Sequence, residues 1–363
     1  MSELMKERAL IAMSGGVDSS VAAFLMKKSG YDCIGATMKL FANEDIGIEK
    51  AHSCCSLSDV EDARNVAARL EIPYYVLNFT GDFKTWVIDR FIRAYEAGWT
   101  PNPCIDCNRF LKFAALYQKA REFSAEYVVT GHYVRRVFDE KSGRFLLKKG
   151  LDEDKDQSYV LYCLTQDQLR HSMFPLGELR KSEVRRIAEE EGFVNAGKHD
   201  SQDICFVTGD YADFIEGRTG REYPEGSFID ESGKVLGTHR GIIHYTVGQR
   251  KGLGLSFPQP MYVKKIDPEE NTVTLSENAA LFSRELIASD INLIAVPEIR
   301  GEMHLKARVR YHHKEQWASV MPGEGGTLRV VFDEPQRAIT KGQSLVLYDG
   351  DTVVGGGTIT ETE

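Results

Sequence analysis

The sequence contains no run of about 18 consecutive apolar residues, which is the length that a membrane-spanning helix requires. Its N-terminus is charged and has no apolar core of the kind found in signal peptides. We therefore expect a cytoplasmic protein with no membrane partner. Basic residues are also in deficit, because 45 lysines and arginines face 54 aspartates and glutamates. The formal net charge of −9 gives no support to general affinity for nucleic acid, so any basic surface must be local.

Cysteine is scarce as well, at seven in 363 residues. Without a targeting signal, this content is typical of a reducing compartment and predicts reactive or metal-binding thiols, not a disulfide scaffold. The length is sufficient for two or three domains, each with its own core.

A lysine is missing from the glycine-rich stretch Ser14–Ser20, which therefore does not match the Walker A pattern GxxxxGK[ST]. The dinucleotide pattern GxGxxG does not fit either. An apolar run, Ala9–Met13, predicts a buried strand before the stretch, and helical spacing follows it. Such a turn offers unpaired N–H groups to an anion, and serines add hydroxyl donors. The stretch resembles the PP-loop of N-type ATP pyrophosphatases, SGGxDS, and a serine-capped helix is the alternative interpretation.

Strand-like and helical patterns alternate over residues 1–207. Strands are predicted at 9–13, 33–38, 74–79 and 127–130, and helices at 17–28, 58–70, 83–97 and 166–191. Ser58 is the predicted cap of the second helix. The alternation is typical of an α/β protein with a doubly wound parallel sheet, whose ligand lies at the carboxyl ends of the strands. Met38 and Gly131 end or follow such strands, so we expect them to converge with the glycine loop on one nucleotide.

Beyond about residue 208, short strand-like runs separated by glycine and proline replace this alternation. They occur at 227–230, 261–266, 305–311, 318–321, 328–332 and 344–348. We predict a PP-loop ATP pyrophosphatase domain at 1–207, a small central domain at 208–283 and a C-terminal antiparallel β-barrel at 284–363.

Two cysteines of a proline-stiffened loop, Cys104 and Cys107, lie between helical patterns. We place a helix start near Cys107, where the helix N-terminus would lower the pKa of the thiol and make it the better nucleophile. Cys205 lies in a polar stretch beside the predicted domain boundary. Two cysteines in separate loops of this kind could pass sulfur from one to the other.

Metal binding is the competing interpretation of the cysteines. Zinc on Cys104 and Cys107 would need partners, but no second CxxC occurs, and the adjacent Cys54 and Cys55, with His52, would chelate one metal poorly. A 4Fe-4S cluster on Cys104, Cys107 and Cys205 is an alternative that the sequence leaves open. Two cysteines in apolar runs, Cys33 and Cys163, are predicted core residues. No role is assigned to Cys54 or Cys55.

A series of motifs runs through the chain in a characteristic order: SGGVDSS, TPNPCIDCN, VVTGHYVR, KDQSYVL, DSQDICF, YTVGQRKGLG, VRYHHKE and KGQSLVLY. In these motifs the sequence resembles the bacterial tRNA-specific 2-thiouridylases of the PP-loop ATP pyrophosphatase superfamily. The resemblance covers essentially the whole chain. It implies an enzyme that uses ATP to convert the wobble uridine of tRNA to 2-thiouridine, forming AMP and pyrophosphate.

The resemblance also implies roles for individual residues. Cys107 takes the position of the nucleophile, and Cys205 that of the cysteine that carries a persulfide. The residues implied to line the ATP phosphates are Ala12, Met13, Ser14, Gly15, Gly16, Val17, Asp18 and Ser19, while Met38 and Gly131 would flank the adenosine. Those implied to lie against the target base are Asn102, Pro103 and Cys104. The implied tRNA contacts are His132, Lys155, Asp156, Gln157, Arg310, Tyr311 and Gln343.

Some members of the family carry aspartate where this chain has Cys104. A thiol at that position weakens an acid–base role for the residue and strengthens the cluster alternative. We nevertheless favour the persulfide relay, because aspartate is a less usual cluster ligand than cysteine.

The implied mechanism begins with transfer of AMP from ATP to the uracil oxygen, which becomes a good leaving group. Magnesium near Asp18 would offset the phosphate charge. The persulfide on Cys205 would then attack the ring directly, or Cys107 would attack it, free hydrosulfide and form a disulfide with Cys205. The implied partners are tRNA, whose uridine must turn out of its loop, and a persulfide donor protein or sulfide source.

Basic residues near the C-terminus form the local surface that a tRNA substrate would need. They are either a solvated strand face or a phosphate-binding stripe, and they comprise Arg300, Lys306, Arg308, Arg310, His312, His313 and Lys314. Two other functions stay open. One is a different PP-loop ligase or amidase that forms AMP, which would need neither Cys107 nor Cys205. The other is a non-catalytic sulfur carrier that binds tRNA, which would have no use for the ATP loop.

Overall fold

The structure is a computed structural model that describes residues 6–41, 57–198, 204–207 and 209–363. The chain forms two compact units. The first unit comprises Met1–Val87, Cys104–Thr208 and Asp351–Val353, and the second comprises Ile88–Pro103, Gly209–Gly350 and Val354–Glu363. Within the described ranges, no helix is both long and apolar enough to cross a bilayer.

A parallel sheet forms the centre of the first unit. Its strands are β1 (Arg8–Ala12), β2 (Asp32–Lys39), β3 (Tyr74–Asn78), β4 (Tyr127–Val129) and β7 (Ser172–Met173). They are ordered β3-β2-β1-β4-β7, and every neighbouring pair is parallel. The central strand β1 is a short apolar run whose residues 9–11 are fully buried, as expected for a strand that is covered on both faces. The predicted α/β fold with a parallel sheet is confirmed.

Helices follow the strands in the alternation that the sequence predicts. They are α1 (Val17–Lys28), α2 (Leu57–Arg69), α3 (Thr80–Phe83), α4 (Asp89–Glu96), α5 (Pro103–Asp106), α6 (Leu116–Glu122), α7 (Ser158–Leu161), α8 (Gln166–Arg170), α9 (Lys181–Glu190) and α10 (Tyr211–Thr219). Two π-helical segments, Lys84–Ile88 and Cys107–Ala115, continue α3 into α4 and α5 into α6. Helices α4 and α10 belong to the second unit.

Helix α1 is held in place by the core of the first unit. Its residues Val21, Ala22 and Ala23 are fully buried, and Val184 and Ala188 of α9 belong to the same hydrophobic cluster. The small alanine side chains let the two helices approach closely, while burial of each valine contributes about 1.5–3 kcal/mol. The N-terminal end of α1, where the glycine loop enters it, is therefore set on a rigid support.

Two of the predicted helices differ from the structure. Ser58 lies inside the first turn of α2, which begins at Leu57, so Ser58 is not its cap. The helix predicted at 166–191 is instead α8, the strand β7 and α9. Proline interrupts the helical pattern at Pro175, because it cannot donate to the preceding turn. Gly177 lies so close to Val134 that a Cβ atom would stand 2.0 Å from its carbonyl oxygen.

An antiparallel hairpin, β5 (Val134–Asp139) and β6 (Arg144–Lys149), was not among the predicted elements. Its turn is closed by Ser142, whose backbone N–H and hydroxyl donate to the Asp139 carboxylate at 3.0 and 2.6 Å. This turn uses an aspartate and a serine in place of the Asn-Gly pair that marks the tightest hairpins in a sequence.

The second unit contains a four-stranded sheet built from β8 (Gly226–Ile229), β9 (Val235–His239), β10 (Tyr262–Asp267) and β11 (Thr272–Ser276). Their order is β10-β11-β8-β9, around a core that includes Phe228, Val263 and Val273. The strands predicted at 227–230 and 261–266 are confirmed. Helix α10 was not predicted, although its ends carry ordinary signals, with Asp210 as the N-cap and Gly220 at φ 63° as the C-cap.

A six-stranded antiparallel barrel completes the second unit. Its strands are β12 (Phe282–Leu293), β13 (Met303–Arg308), β14 (Gln316–Pro322), β15 (Leu328–Arg337), β16 (Ser344–Asp349) and β17 (Thr352–Thr362). They run in the order β12-β15-β14-β13-β16-β17, and pairing of β12 with β17 closes the barrel. The predicted C-terminal antiparallel barrel is confirmed. The domain boundaries at 207 and 283 stay predictions.

Candidate active site

The glycine loop between β1 and α1 has a backbone that only glycine can adopt at its tightest point. Gly15 lies at φ +75°, and a Cβ atom there would stand 2.3 Å from the carbonyl oxygen of Asp59. Gly16, at φ −87°, is the N-cap of α1 and has no side chain with which to cap the helix. The first-turn N–H groups of α1 are therefore directed to this loop, which is the geometry that helices use to bind phosphate.

The serines of the loop shape its backbone. Ser19 Oγ donates to the Gly16 carbonyl at 3.0 Å and accepts from the Ser14 N–H at 3.2 Å. Ser20 is fully buried and donates to the same carbonyl at 3.1 Å. These two hydroxyls, expected to serve as phosphate donors, instead close the turn that presents the backbone N–H groups. Only Ser14 is exposed among the three.

Two residues far along the sequence hold the loop from outside. Asn195 donates from Nδ2 to the Gly15 carbonyl and to Ser20 Oγ, both at 2.9 Å. Lys198 donates from Nζ to the same Gly15 carbonyl at 3.3 Å. Because this carbonyl is held by two donors, it is kept away from any bound anion. Neither residue was predicted as part of the site.

Lys198 also binds two carboxylates of α2, those of Asp59 and Asp62. Burial lowers the pKa of this lysine, but the hydrogen bonds and charges of the two carboxylates outweigh burial and raise the pKa above its ordinary value. The lysine is therefore a permanent cation under physiological conditions and links the loop to α2.

Asp18, in the first turn of α1, is bound by two further residues that the sequence did not reveal. The Lys181 ammonium lies 2.7 and 2.8 Å from its two carboxylate oxygens, and the Tyr133 hydroxyl donates to one of them at 2.6 Å. Gly131 packs against the same turn, since a Cβ atom there would stand 2.8 Å from the Asp18 backbone carbon and 2.9 Å from the Ser19 nitrogen. Gly131 and the glycine loop are thus brought together.

The predicted magnesium ion near Asp18 does not fit this arrangement. Both oxygens of the carboxylate face the ammonium of Lys181, and a divalent cation on the same oxygens would be placed beside that positive charge. We therefore derive no step through a metal at Asp18. The loop itself does fit the phosphates of ATP, because Gly15 leaves its backbone open where any side chain would collide.

Met38 lies near the carboxyl end of β2, beside the point at which β1 enters the loop. The register pairs Ala12 of β1 with Ala36 of β2, and the Met13 N–H donates to the Ala36 carbonyl at 2.8 Å. Met38 is two residues further along β2 and is 8% exposed. Its place is the one expected of a residue that borders the nucleotide, and its contact with adenosine stays a prediction.

The helix that carries Cys104 and Cys107 begins four residues earlier than predicted. It starts at Pro103, because proline is well suited to the first turn, where its missing N–H costs no hydrogen bond. Cys104 is thus the exposed thiol in the N-terminal turn, while Cys107 lies one turn inside and is 9% exposed. The prediction that Cys107 sits at a helix N-terminus is wrong, because the helix begins at Pro103.

Cys107 opens a π-helical segment that extends to Ala115. The Leu116 N–H bonds to the Leu111 carbonyl, five residues back, which is the spacing of the wider helix. Segments of this type are rare and are frequently found at functional sites. Nearby, the buried Asn108 donates from Nδ2 to the Val160 carbonyl at 2.9 Å and fixes the start of the segment.

Cys205 lies in the described range 204–207 and is partly buried. The next residue, Phe206, is 1% exposed and packs edge-on against Phe83 of α3 at 5.5 Å between ring centroids. Cys205 therefore flanks an anchored side chain of the first unit. Cys33 and Cys163 are confirmed as core residues, and burial raises their pKa values to about 11 and about 12, which keeps both as thiols.

In the part of the chain that the structure describes, no three histidine, cysteine, aspartate or glutamate side chains are grouped to hold a metal ion. Cys104, Cys107 and Cys205 all lie in that part. They do not fit a 4Fe-4S cluster or a zinc site in this conformation, and we derive no step through either. His52, Cys54 and Cys55 lie outside the described residues.

Comparisons with known proteins bear on the same residues. Family models described as a tRNA methyl transferase HUP domain, a tRNA methyl transferase PRC-barrel domain and an aminomethyltransferase β-barrel domain match residues 7–209, 212–277 and 283–359. A protein of Clostridioides difficile (strain 630) named tRNA-specific 2-thiouridylase MnmA is 51% identical over 356 residues, which is 98% of both chains. This chain belongs to the tRNA-specific 2-thiouridylase family.

Other members of the family are equally similar to the chain. The protein of the same name from Acetivibrio thermocellus is 51% identical over 358 residues, covering 98% of this chain and 100% of its own. A third, tRNA-specific 2-thiouridylase MnmA 1 of Thermoanaerobacter sp. (strain X514), is 52% identical over 354 residues, or 97% of each chain. The family predicted from the motifs is thus confirmed over nearly the full length.

The residues implied to contact the target base follow a segment that the barrel loop holds within the second unit. The Thr100 N–H donates to the Lys341 carbonyl at 2.9 Å, and Gln343 Nε2 donates to the Thr100 carbonyl at 2.8 Å. Gly342, at φ +86°, packs so closely that a Cβ atom would stand 3.0 Å from Cβ of Trp99. Gln343, implied by the family to contact tRNA, thus holds the backbone two residues before Asn102.

Several other residues with implied tRNA contacts have defined roles inside the fold. His132 is buried beside Thr130, with Nδ1 and Oγ1 2.7 Å apart, and burial, followed by the charge of Lys112, holds its pKa well below the ordinary value. Asp156 is buried and accepts from Ser158 Oγ at 2.7 Å. Gln157 accepts from the Tyr133 N–H at 3.0 Å, and Lys155 is half-buried. Direct contact of these residues with RNA stays a prediction.

In the basic stripe near the C-terminus, some residues also bind backbone inside the fold, and others are exposed. The Arg310 guanidinium donates to the carbonyls of Val247 and Ala338 at 3.1 and 3.0 Å, and that of Arg308 donates to the Tyr311 carbonyl. These two arginines hold backbone of the second unit, in the barrel and, for Arg310, also at Val247. The exposed members of the stripe include His312 and Lys314, while Tyr311 is half-buried.

Proposed function

We propose that this protein thiolates carbon 2 of the wobble uridine of tRNA in an ATP-dependent reaction. The observation that carries the proposal is the combination, in the first unit, of a glycine loop built for phosphate with two cysteines, the buried Cys107 and the half-buried Cys205. The names of the relatives support tRNA as the substrate and sulfur as the transferred atom. Two of the family descriptions contain the words methyl transferase. We do not propose methyl transfer for this protein, because that reaction would use neither the ATP loop nor the pair of cysteines.

The first proposed step activates the base. The uracil oxygen attacks the α-phosphorus of ATP, the bond to the bridging oxygen of the β-phosphate breaks, and pyrophosphate leaves into the glycine loop. The N–H groups at the start of α1 and the open backbone at Gly15 support this use of the loop. We expect magnesium to arrive on the phosphates of ATP.

The second step transfers sulfur. In one route the terminal sulfur of a Cys205 persulfide attacks carbon 2, and AMP leaves with the former base oxygen. The Cys107 thiolate then attacks Cys205 Sγ, which breaks the S–S bond and releases the 2-thiouridine. In the other route the Cys107 thiolate attacks the Cys205 sulfur and releases hydrosulfide, which attacks carbon 2. Both routes leave a Cys107–Cys205 disulfide, and a thiol reductant must cleave it before the next turnover. Asn102 and Cys104 would position the uridine.

The test is incubation of the protein with ATP, a tRNA bearing uridine at the wobble position and a persulfide or sulfide source. Nucleoside analysis should detect 2-thiouridine. AMP and pyrophosphate should each form in the same molar amount as 2-thiouridine. Release of ADP and phosphate would contradict the proposed use of the loop. Incorporation of ammonia in place of sulfur would indicate a PP-loop ligase, and sulfur binding without ATP consumption would indicate a carrier.

A further inference from the structure

Two aromatic side chains form a stacked pair at the surface of the first unit. Trp86 is 42% exposed, and its ring stacks on that of Phe110, with the centroids 4.7 Å apart and the planes inclined by 22°. The Arg109 guanidinium lies 5.9 Å from the centroid of the Phe110 ring. Because Phe110 covers one face of the indole, the exposed area of Trp86 belongs to its other face and its edges.

The pair lies on the helix that carries Cys104 and Cys107. This helix continues from α5 into the π-helical segment, and Phe110 follows the exposed Cys104 by six residues. Six residues correspond to about 9 Å along a helix axis. Stacked bases are separated by about 3.4 Å, so a nucleotide next to a uridine held at Cys104 can reach the aromatic pair.

The extrusion of the target uridine creates a need for such a surface. A uridine that turns out of its loop no longer stacks on its neighbours, and this loss of stacking costs free energy. An aromatic side chain can replace the lost partner, because every base has a planar face that stacks on a ring. The same contact would remove the apolar face of Trp86 from water.

Charge near the pair is almost balanced. Four basic and three acidic residues lie within four positions of Trp86 or Phe110 in the sequence. The basic residues are Lys84, Arg90, Arg109 and Lys112, and the acidic residues are Asp82, Asp89 and Asp106. Binding to phosphates needs a clear excess of positive charge, so the pair is better suited to a base than to the backbone of RNA.

We propose that Trp86, supported by Phe110, is a stacking platform for the base next to the target uridine of the tRNA. The ligand is thus an unpaired base of single-stranded RNA, and the contact accepts any of the four bases. The inference rests on the proposed use of tRNA, and it adds a base-binding subsite in the first unit.

The first test measures the affinity for tRNA of Trp86→Ala, Trp86→Leu and Trp86→Phe. The alanine and leucine variants should each bind about 5- to 150-fold more weakly than the wild type, which is the range for one base stacked on an aromatic side chain. Trp86→Phe should keep most of the affinity, because it keeps a planar ring. The dependence of affinity on salt should be unchanged in all three variants, since no phosphate contact is lost.

The second test changes the RNA in place of the protein. The probe is an anticodon stem-loop that carries the wobble uridine and an abasic nucleotide on its 5′ or its 3′ side. The wild type should lose about 5- to 150-fold in affinity when the abasic nucleotide replaces the stacked base. Trp86→Ala should lose no further affinity with the same RNA, because the two changes remove one and the same contact.

Tyr75→Ala is the matched control. Tyr75 is 43% exposed, and its ring packs against that of Phe123 with the centroids 4.9 Å apart, in the same unit as Trp86. Phe123 follows Phe110 by 13 residues at the far end of the helix, or roughly 20 Å, so this variant should bind tRNA as the wild type does. Melting temperatures and ATP affinities identify any variant whose fold has changed.

Three results would overturn the proposal. Wild-type affinity in Trp86→Leu, with a loss in Trp86→Ala, would mean that the pair needs apolar volume and not a planar ring. Equal losses of the wild type and Trp86→Ala with both abasic RNAs would mean that the bases stack elsewhere. Intact tRNA affinity, with a loss of activity only when a persulfide donor protein supplies the sulfur, would assign the pair to that protein. A wild-type protein that binds no tRNA would instead overturn the proposed function itself.

Discussion

The glycine loop at Gly15 and the backbone at Thr100 both lead into residues with implied roles in the site, and both are held by distant parts of the chain in different ways. The glycine loop is held by charged and amide side chains, namely Asn195, Lys198 and, through Asp18, Lys181. Thr100 is held by the barrel loop, through the Lys341 carbonyl and the Gln343 amide.

The difference follows from what each segment has to bind. A loop that binds polyphosphate needs fixed positive charge and backbone N–H groups that point outward. Lysine side chains provide the charge, and by binding the loop they also fix the direction of its N–H groups. A segment that leads to a base-contacting residue needs position more than charge, so neutral hydrogen bonds and a closely packed glycine are sufficient. Changes to the first segment should therefore alter ATP use, and changes to the second should alter use of tRNA.

The largest expected effect concerns the cysteines. Cys107→Ser and Cys205→Ser should each reduce 2-thiouridine formation to background, because both thiols take part in the relay. Cys104→Ser should retain substantial activity, since Cys104 is the exposed thiol of the first helical turn and only positions the base. The measurement is activity and iron content of the three variants, prepared and assayed without oxygen. Equal collapse of all three, with loss of iron from each, would contradict the relay.

The next effect belongs to the glycine loop. Gly15→Ala should reduce ATP-dependent activity at least about 100-fold and unfolding free energy by about 1–3 kcal/mol, because Cβ would meet the Asp59 carbonyl at 2.3 Å in a left-handed backbone. Gly16→Ala is the matched control. There φ is −87°, and a Cβ atom would stand 3.5 Å from Ser14 Oγ, an ordinary contact distance, so activity should stay within a fewfold of wild type. Comparable losses in both variants would show that the loop is sensitive to any side chain.

A smaller effect should appear as a dependence of stability on pH. The folded-state pKa of His132 is held well below 6.5 by burial, so below pH 6.5 the unfolded chain binds a proton that the folded protein does not. Stability should therefore fall with pH by up to about 1.4 kcal/mol per unit until the folded pKa is reached. Chemical denaturation of wild type and His132→Gln between pH 7.5 and 5.5, about one unit to either side of the ordinary value, should show a shallower slope in the variant. Part of the slope should remain, because burial also lowers the pKa values of His239 and His313.

The exposed His304, which pairs with Asp333, provides the control for that measurement. His304→Gln should keep the acid slope of the wild type. A slope in His132→Gln as steep as that of the wild type would assign it to other groups.

The smallest effect is expected at the barrel loop. Gln343→Ala removes one neutral hydrogen bond to the Thr100 carbonyl, worth about 0.5–1.5 kcal/mol, so kcat for tRNA thiolation should fall about 2- to 10-fold. Affinities for ATP and for tRNA should be unchanged, because Gln343 positions backbone. Gln336→Ala, which removes another barrel glutamine with a backbone partner, should leave kcat unchanged. A weaker affinity of Gln343→Ala for tRNA, with kcat intact, would instead support the direct contact that the family implies.

Much of the fold could be predicted because its signals are local. Consecutive residues around Ser14–Ser20 predict the strand, the glycine turn and the helix. The alternation of strand and helix patterns likewise predicts the parallel sheet, and the short apolar runs predict the barrel. The predicted element boundaries were wrong where a local sequence pattern was compatible with two different structures. Pro103 and Cys107 are both acceptable near a helix start, and the first turn formed at the proline. The helical spacing of apolar residues at 166–191 continues through Pro175 in the sequence. In the structure, the chain just before this proline forms β7 at the edge of the sheet.

The sequence by itself determined that a phosphate loop without its own lysine opens the chain and that two cysteines outside the apolar runs follow it. Only the tertiary structure decided which cations serve that loop, because Lys181 and Lys198 lie in polar stretches of the sequence where lysine is ordinary. It also decided that Gln343 fastens Thr100, across 243 residues of chain. Such partners are selected by the packing of whole helices and strands, which brings distant side chains together at distances that no spacing along the sequence records.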